Sequence, residues 1–156
     1  MQSNWLTPPE IMKALGPFDL DPATTCTMAH DGKPWKTAKK MYCRCKDGLE
    51  MPWDGRVWLN PPYERPLTER FVQRLADHAN GIALVMARTD SAWFQKYVLE
   101  MGTAVLFLRR RPHFHTEAGE RMKDRALGAS VLVAYGFENA NALILSKLDG
   151  KVLMVA

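Results

Sequence analysis

The stretch Val57-Trp58-Leu59-Asn60-Pro61-Pro62-Tyr63 combines residue types that few plain turns need. A short apolar run of strand character meets an amide, two prolines and a tyrosine. Consecutive prolines end a strand and stiffen the chain beyond it, with no backbone N–H to donate. What remains is a set of acceptors. The carbonyls of the two prolines and the Asn60 amide oxygen can point at one amino group, and Tyr63 adds a flat face on which a planar base can stack. In a parallel α/β sheet ligands bind beyond the carboxyl ends of strands, which is where this tetrapeptide falls. The same residues also suit a proline turn that closes a strand beside a buried tyrosine.

The elements around it fit that placement. Thr7-Pro8-Pro9-Glu10 reads as a helix start, with Thr7 as cap and Glu10 closing a capping box, and Gly16 as the stop. Phe18 to Asp21 reads as a short strand ended by Pro22. Residues 24–55 read mostly as a long polar, basic loop. Arg56 to Leu59 is a strand, and Leu67, Phe71, Leu75 and Ala79 predict an amphipathic helix over 66–79. Gly81 to Ala87 is a strand buried on both faces. Asp90 or Ser91 caps a helix that turns Trp93, Phe94, Tyr97, Val98 and Met101 inward and stops at Gly102. Thr103 to Leu108 and Ala129 to Tyr135 are further buried strands. Ala142 to Leu148 suits either helix or strand, and Asp149-Gly150 turns into Val152 to Val155. Strands alternating with helices predict an α/β sheet with parallel neighbours.

With 156 residues, 47% hydrophobic and 24% charged, the chain suits one globular domain, and wholesale disorder is excluded. Its longest apolar run, Ile82 to Ala87, is far short of the ~18 residues a membrane helix needs. The opening residues lack the profile of a secretory signal, so an intracellular, cytoplasmic protein is expected. The net charge of +4 is unevenly spread. Residues 33–46 hold Lys33, Lys36, Lys39, Lys40, Arg44 and Lys46 without an acid, a net +6. Residues 109–125 hold six bases and three acids, a net +3, which leaves −5 for the remainder. Two basic segments on a mildly acidic body suit a polyanion such as nucleic acid, or a merely solvated surface.

Several stretches together resemble the phage and bacterial DNA N-6-adenine methyltransferase (Dam-type) family. Asn60-Pro61-Pro62-Tyr63 is similar to the catalytic motif of amino-methyltransferases that use S-adenosylmethionine. Trp5-Leu6-Thr7-Pro8 resembles the family's opening, and Phe18-Asp19-Leu20-Asp21-Pro22-Ala23 its acidic cofactor strand. Asp47-Gly48-Leu49 with Trp53 resembles its second cofactor loop, and Ala87-Arg88-Thr89-Asp90-Ser91-Ala92-Trp93-Phe94 a further family stretch. The resemblance covers most of residues 5–135. It implies a Rossmann-like class I methyltransferase fold, minimal in size, as one domain over residues 1–156 with a mixed, mostly parallel sheet. It also implies a phage or bacterial DNA-modification setting, with or without a partner restriction enzyme, and S-adenosylmethionine as cofactor.

On that reading Asn60, Pro61, Pro62 and Tyr63 are catalytic. Methyl transfer to the N6 amine of adenine is an in-line displacement that needs no metal and no protein nucleophile. Acceptors on the two amine hydrogens, Asn60 and the Pro61 carbonyl, favour sp³ character and stabilise charge developing on nitrogen. The base must leave the duplex at a cost of a few kcal/mol, which stacking on Tyr63 offsets in part. The cofactor falls to Trp5, Thr7, Pro8, Asp21, Pro22, Ala23, Asp47 and Asn60. Asp21 is assigned the methionine amino group or the ribose hydroxyls, Asp47 the adenine amino group, and the helix start at Thr7 and Pro8 the methionine carboxylate. A turn or cap role stays open for Asp21 and for Asp47. The sequence departs from general methyltransferases in lacking a glycine-rich loop after Asp21, so Asp21 ends either the first or the second strand of the fold.

Double-stranded DNA is the expected partner, met by Lys36, Lys39, Lys40, Arg44, Arg88, Arg109, Arg110 and Arg111; no membrane is expected and the oligomeric state is open. Asp90 reads as a helix cap. Cys26, Cys43 and Cys45 read as reduced thiols. Cys43-x-Cys45 with His113-x-His115 lacks the usual zinc spacing, so no metal is expected. No cysteine stands in the catalytic loop, which argues against cytosine C5 chemistry. Two rival readings stand: a methyltransferase of the same motif acting on RNA or a protein glutamine, and a nucleic-acid-binding protein on a decayed scaffold.

Overall fold

A computed structural model describes residues 5–156; the expectation of no leader rests partly on residues 1–4, outside the described residues. Among the described residues seven strands form one sheet: β1 (Leu20–Asp21), β2 (Lys40–Met41), β3 (Val57–Leu59), β4 (Gly81–Met86), β5 (Ala104–Leu108), β6 (Ser130–Tyr135) and β7 (Gly150–Met154). Their spatial order is β2-β1-β3-β4-β6-β5-β7. β2, β1, β3 and β4 are joined by parallel ladders, while β4–β6, β6–β5 and β5–β7 are antiparallel.

The sheet is therefore mixed, but the expectation of a mostly parallel one does not hold at the level of pairing. The cause is the segment between β5 and β6. It returns without a crossover helix, and adjacent strands joined that way pair antiparallel. In direction, β1 to β5 still all point one way. Asp21, Asn60, Arg88 and Arg109 thus follow the ends of strands that open on the same edge of the sheet. β1 lies next to β3, which makes Asp21 and Asn60 products of neighbouring strands.

Alternate residues of the central strands bury against opposite layers, so their sequences are apolar without interruption. Val57, Leu59, Ala83, Val85, Val131 and Val133 pack with α3 (Leu67–His78) and the π-helix Phe94–Glu100. Trp58, Ile82, Leu84, Leu132 and Ala134 pack with α1 (Pro9–Leu15) and α4 (Phe137–Leu145). Four further expectations need correction. Segment 24–55 is not mostly loop: it holds α2 (Cys26–Asp31), β2 and a 3₁₀ turn (Arg44–Lys46). Thr7 does not cap α1; Pro8 holds that position without a side-chain bond, because the Thr7 hydroxyl is engaged by Asn60. Ser91 rather than Asp90 receives a helix N–H, from Phe94 at 3.4 Å. Met101 faces solvent, because the wider π winding carries it off the inward face, with its N–H bonded to Lys96. The tail resolves into helix then strand. Among the described residues no helix is long and apolar enough to cross a membrane.

Candidate active site

At the open edge of the sheet lies a cavity of roughly 600 Å³. Of the residues expected to act in catalysis or cofactor binding, it gathers Trp5, Thr7, Asp21, Pro22, Ala23, Asp47, Asn60, Pro61, Pro62 and Tyr63, but not Pro8.

Asn60 leaves β3 with its amide held in one orientation. Its Nδ2 donates to the Trp5 carbonyl at 3.2 Å and to Thr7 Oγ1 at 3.3 Å. A carbonyl only accepts, so the nitrogen must face Trp5 and the oxygen must face away. That oxygen, Oδ1, is buried and has no partner among the described residues. Buried acceptors are nearly always satisfied, so an orphan at a cavity wall marks a place for a donor from a ligand. The Pro62 carbonyl is not part of this set: it accepts from the Thr68 hydroxyl. Of the three acceptors expected to converge, Asn60 Oδ1 and the Pro61 carbonyl remain.

Tyr63 donates its hydroxyl to the Leu84 carbonyl at 3.2 Å, and burial raises its pKa, so the phenol stays a neutral donor. Its ring borders the main cavity and also a second one of about 400 Å³, lined by Arg88, Asp90 and Trp93 among others. Arg88 thus shares this second cavity with Tyr63 of the Asn60–Tyr63 loop.

Asp21 is buried at the end of β1. Its carboxylate accepts from the Ala23 N–H at 3.1 Å and from the Thr37 hydroxyl. Burial outweighs these bonds and raises its pKa to about 6. The turn role left open for Asp21 is therefore present, at a residue that also lines the cavity. Asp47 is exposed, has a positive φ of 37°, and accepts from the Leu49 N–H at 3.1 Å, the local turn that Asp favours. Next to it a Cβ on Gly48 would stand 1.9 Å from the Pro22 carbonyl oxygen. Only glycine lets this loop close on the Asp21-Pro22 turn.

Three contributors carried no sequence signal. Thr37 lies 16 residues from Asp21 in a basic stretch, yet it holds the carboxylate. Glu117 and Cys26 line the cavity from segments read as surface. Gly48 was legible as a family glycine, but its close approach to Pro22 was not. The 109–129 segment folds back over the site: His115 bridges Leu6, and the Trp5 and Phe114 rings lie 5.6 Å apart.

The chain matches the family described as DNA N-6-adenine-methyltransferase (Dam) over residues 1–152. It belongs to this family. Two relatives bear that same description, DNA N-6-adenine-methyltransferase. The one from Escherichia phage T1 is 31% identical over 99 residues, 58% of this chain and 38% of the relative. The one from Haemophilus phage HP1 (strain HP1c1) is 32% identical over 110 residues, 66% of this chain and 58% of the relative. The matched part is thus less than two thirds of either relative's length. No solved structure matches the chain significantly.

The bases expected to meet DNA are spread around the cavity rather than gathered in it. Arg44 lines the main cavity and pairs with Glu64 at 3.6 Å. Lys39 pairs with Asp19 at 3.6 Å, and Lys40 lies over the Tyr42 ring. Arg109 binds Asp149 at 2.9 Å and Arg111 donates to the Leu127 carbonyl, while Lys36 and Arg110 are exposed. The pairing of Cys43 and Cys45 with His113 and His115 does not form. His113 Nδ1 bonds the Met122 carbonyl, and the His115 ring meets Trp35 edge-on.

Proposed function

We propose that this chain transfers a methyl group from S-adenosylmethionine to the N6 amine of adenine in double-stranded DNA, on a base turned out of the duplex. The observation that carries the reading is the oriented, buried Oδ1 of Asn60 at the end of β3, without a partner among the described residues. An amine is the donor such an atom accepts from, and the family described above acts on that amine by name. The fold assignment goes with it: a minimal class I methyltransferase domain over residues 1–156.

The cavity suits the cofactor on its own chemistry. A cation is favoured beside a buried carboxylate, and Asp21 supplies one. Trp5 and the Asp21-Pro22-Ala23 turn form walls, Asp47 with Gly48 another, and Thr7 fixes Asn60. Bound S-adenosylmethionine supplies a methyl group on a sulfonium sulfur, activated for in-line attack. Asn60 Oδ1 and the Pro61 carbonyl accept the two amine hydrogens, hold the lone pair in line and stabilise the charge that develops on nitrogen. Tyr63, fixed through its hydroxyl, stacks on the extruded base, and the second cavity beside Trp93 and Arg88 gives that base room. Lys36, Lys39, Lys40, Arg44, Arg88, Arg109, Arg110 and Arg111 attract phosphates without reading sequence.

The test is incubation with methyl-labelled cofactor and, separately, duplex DNA, RNA and a protein extract. Label should enter DNA alone. Label confined to RNA or protein would move the substrate, and label in none, with the cofactor bound, would make the chain a binding protein.

A further inference from the structure

Beside the cavity, apart from the groups that methyl transfer uses, three thiols and an imidazole converge. Cys26 and His30 stand one turn apart on α2, on the same face of the helix. Cys43 precedes the 3₁₀ turn Arg44–Lys46, and Cys45 lies within it. The sulfurs of Cys26 and Cys45 are 3.4 Å apart, the Cys43 sulfur is 3.7 Å from His30 Nε2, and all four donor atoms lie within 4.8 Å of one another. These are all three cysteines of the chain, and none is in a disulfide.

The spacing discriminates between the uses of such a cluster. A disulfide needs its sulfurs ~2.05 Å apart and would leave the third thiol over. A tetrahedral zinc with Zn–S of ~2.3 Å and Zn–N of ~2.0–2.1 Å sets edges of ~3.5–3.8 Å between its ligand atoms. The two distances above are close to those edges. Thiolates with one imidazole select zinc over magnesium or calcium, which take oxygen ligands. We propose that Cys26, His30, Cys43 and Cys45 bind one zinc ion in a closed, structural site.

Charge and position support it. Three thiolates around a divalent cation carry a net −1, and the same turn supplies Arg44 and Lys46 within a stretch of six bases and no acid. Part of that basic run thus balances the metal site. α2 has six residues and β2 two, too few for either to be held firmly by its own backbone bonds. A metal bridging α2 to the 3₁₀ turn fixes both. The turn leads straight into Asp47 and Gly48, and Cys26 and Cys43 line the cavity themselves. The ion therefore clips together the wall that closes on the Asp21-Pro22 turn. With four protein ligands it has no open position, so its role is to hold rather than to react. The inference does not depend on the methyl-transfer reading.

The experiment uses the untagged full chain, purified without chelator. Elemental analysis should find about one zinc per chain. Cobalt(II) added to metal-free protein should give the thiolate-to-cobalt charge-transfer band and the intense visible bands of a tetrahedral site, and zinc should abolish them. Cys45→Ser and His30→Ala should each weaken zinc binding by more than the ~10–100-fold that outer-shell partners are worth. His113→Ala should leave the metal content and the cobalt spectrum unchanged. Circular dichroism separates lost metal from a lost fold, and the wild-type cobalt spectrum stands without any variant. A folded wild-type chain that shows only the spectrum of aqueous cobalt, or whose thiols react freely in excess zinc, would overturn the proposal. So would a native Cys26–Cys45 disulfide found by mass spectrometry.

Discussion

Replacing Asp21 by Asn is expected to stabilise the cofactor-free protein while weakening its hold on the methyl donor. The carboxyl is buried, and burial raises its pKa from 3.8 to about 6. Folded chains therefore bind the Asp21 proton more tightly than unfolded ones, and between those pH values they carry the extra proton. The stability this group allows is full below about pH 4 and is lost as pH rises through about 6. Above that, the buried charge costs about 3 kcal/mol, at ~1.4 kcal/mol per pH unit. Asparagine removes the charge but keeps an oxygen for the Ala23 N–H and gains an NH₂ that the Thr37 hydroxyl can accept from. For a chain of this length ~2–4 °C per kcal/mol converts the gain into a rise of ~6–12 °C in Tm near neutral pH. The gain should shrink steeply towards pH 4 and vanish only below it, where Asp21 is protonated in both states. S-adenosylmethionine should raise the Tm of wild type through linkage and do so far less for the variant, which lacks a charge-assisted hydrogen bond worth ~1.5–3 kcal/mol. Thermal scans from pH 4 to 8, with and without cofactor, read all of this. A variant that is no more stable at neutral pH, or that keeps the full ligand shift, would refute the argument.

Asn60→Ala removes the acceptor proposed to act in the transition state, so single-turnover methylation should fall ~10²–10³-fold while the cofactor-induced Tm shift persists. Gly48→Ala forces a Cβ to within 1.9 Å of the Pro22 oxygen; displacing that turn should cost ~1–3 kcal/mol by thermal melting and lower cofactor affinity by calorimetry. Tyr63→Ala should slow methylation by the loss of ~1–3 kcal/mol of stacking, with the salt dependence of DNA binding unchanged. Neutralising Lys36, Lys39, Lys40 and Arg44 together should flatten that dependence by up to ~0.9 for each phosphate left unneutralised, on cognate and random DNA alike. The ion pairs of Lys39 and Arg44 are exposed and worth little, so they do not hold these bases back from phosphate. An unaltered slope in anisotropy titrations would leave Arg88 and residues 109–125 as the groups that meet the DNA backbone.

What could be read in the sequence followed from local chemistry. Gly81 to Met86 and Ser130 to Tyr135 are apolar almost without a break because helices cover both faces of the sheet, so their type was plain and their bounds were legible to within one residue. Asn60 to Tyr63 was legible as a group because prolines constrain the chain on their own. Strand order was not, since the antiparallel entry of β6 between β4 and β5 depends on the path of residues 109–129. Nor was the winding of Phe94–Glu100, because π and α turns share one apolar pattern over a single face. The cavity's polar wall depends on approaches between distant segments, Thr37 to Asp21 and Gly48 to Pro22. The thiol cluster escaped for the same reason. Cys26-x₃-His30 is an ordinary helical spacing, and only the fold of segment 24–48 brings Cys43 and Cys45 to it.

The most direct measurement is mass spectrometry of nucleosides from duplex DNA incubated with the chain and S-adenosylmethionine. N6-methyldeoxyadenosine should form with wild type and be nearly absent with Asn60→Ala. N4-methyldeoxycytidine in its place, or N6-methyldeoxyadenosine formed equally by the Asn60→Ala chain, would contradict the proposed reaction.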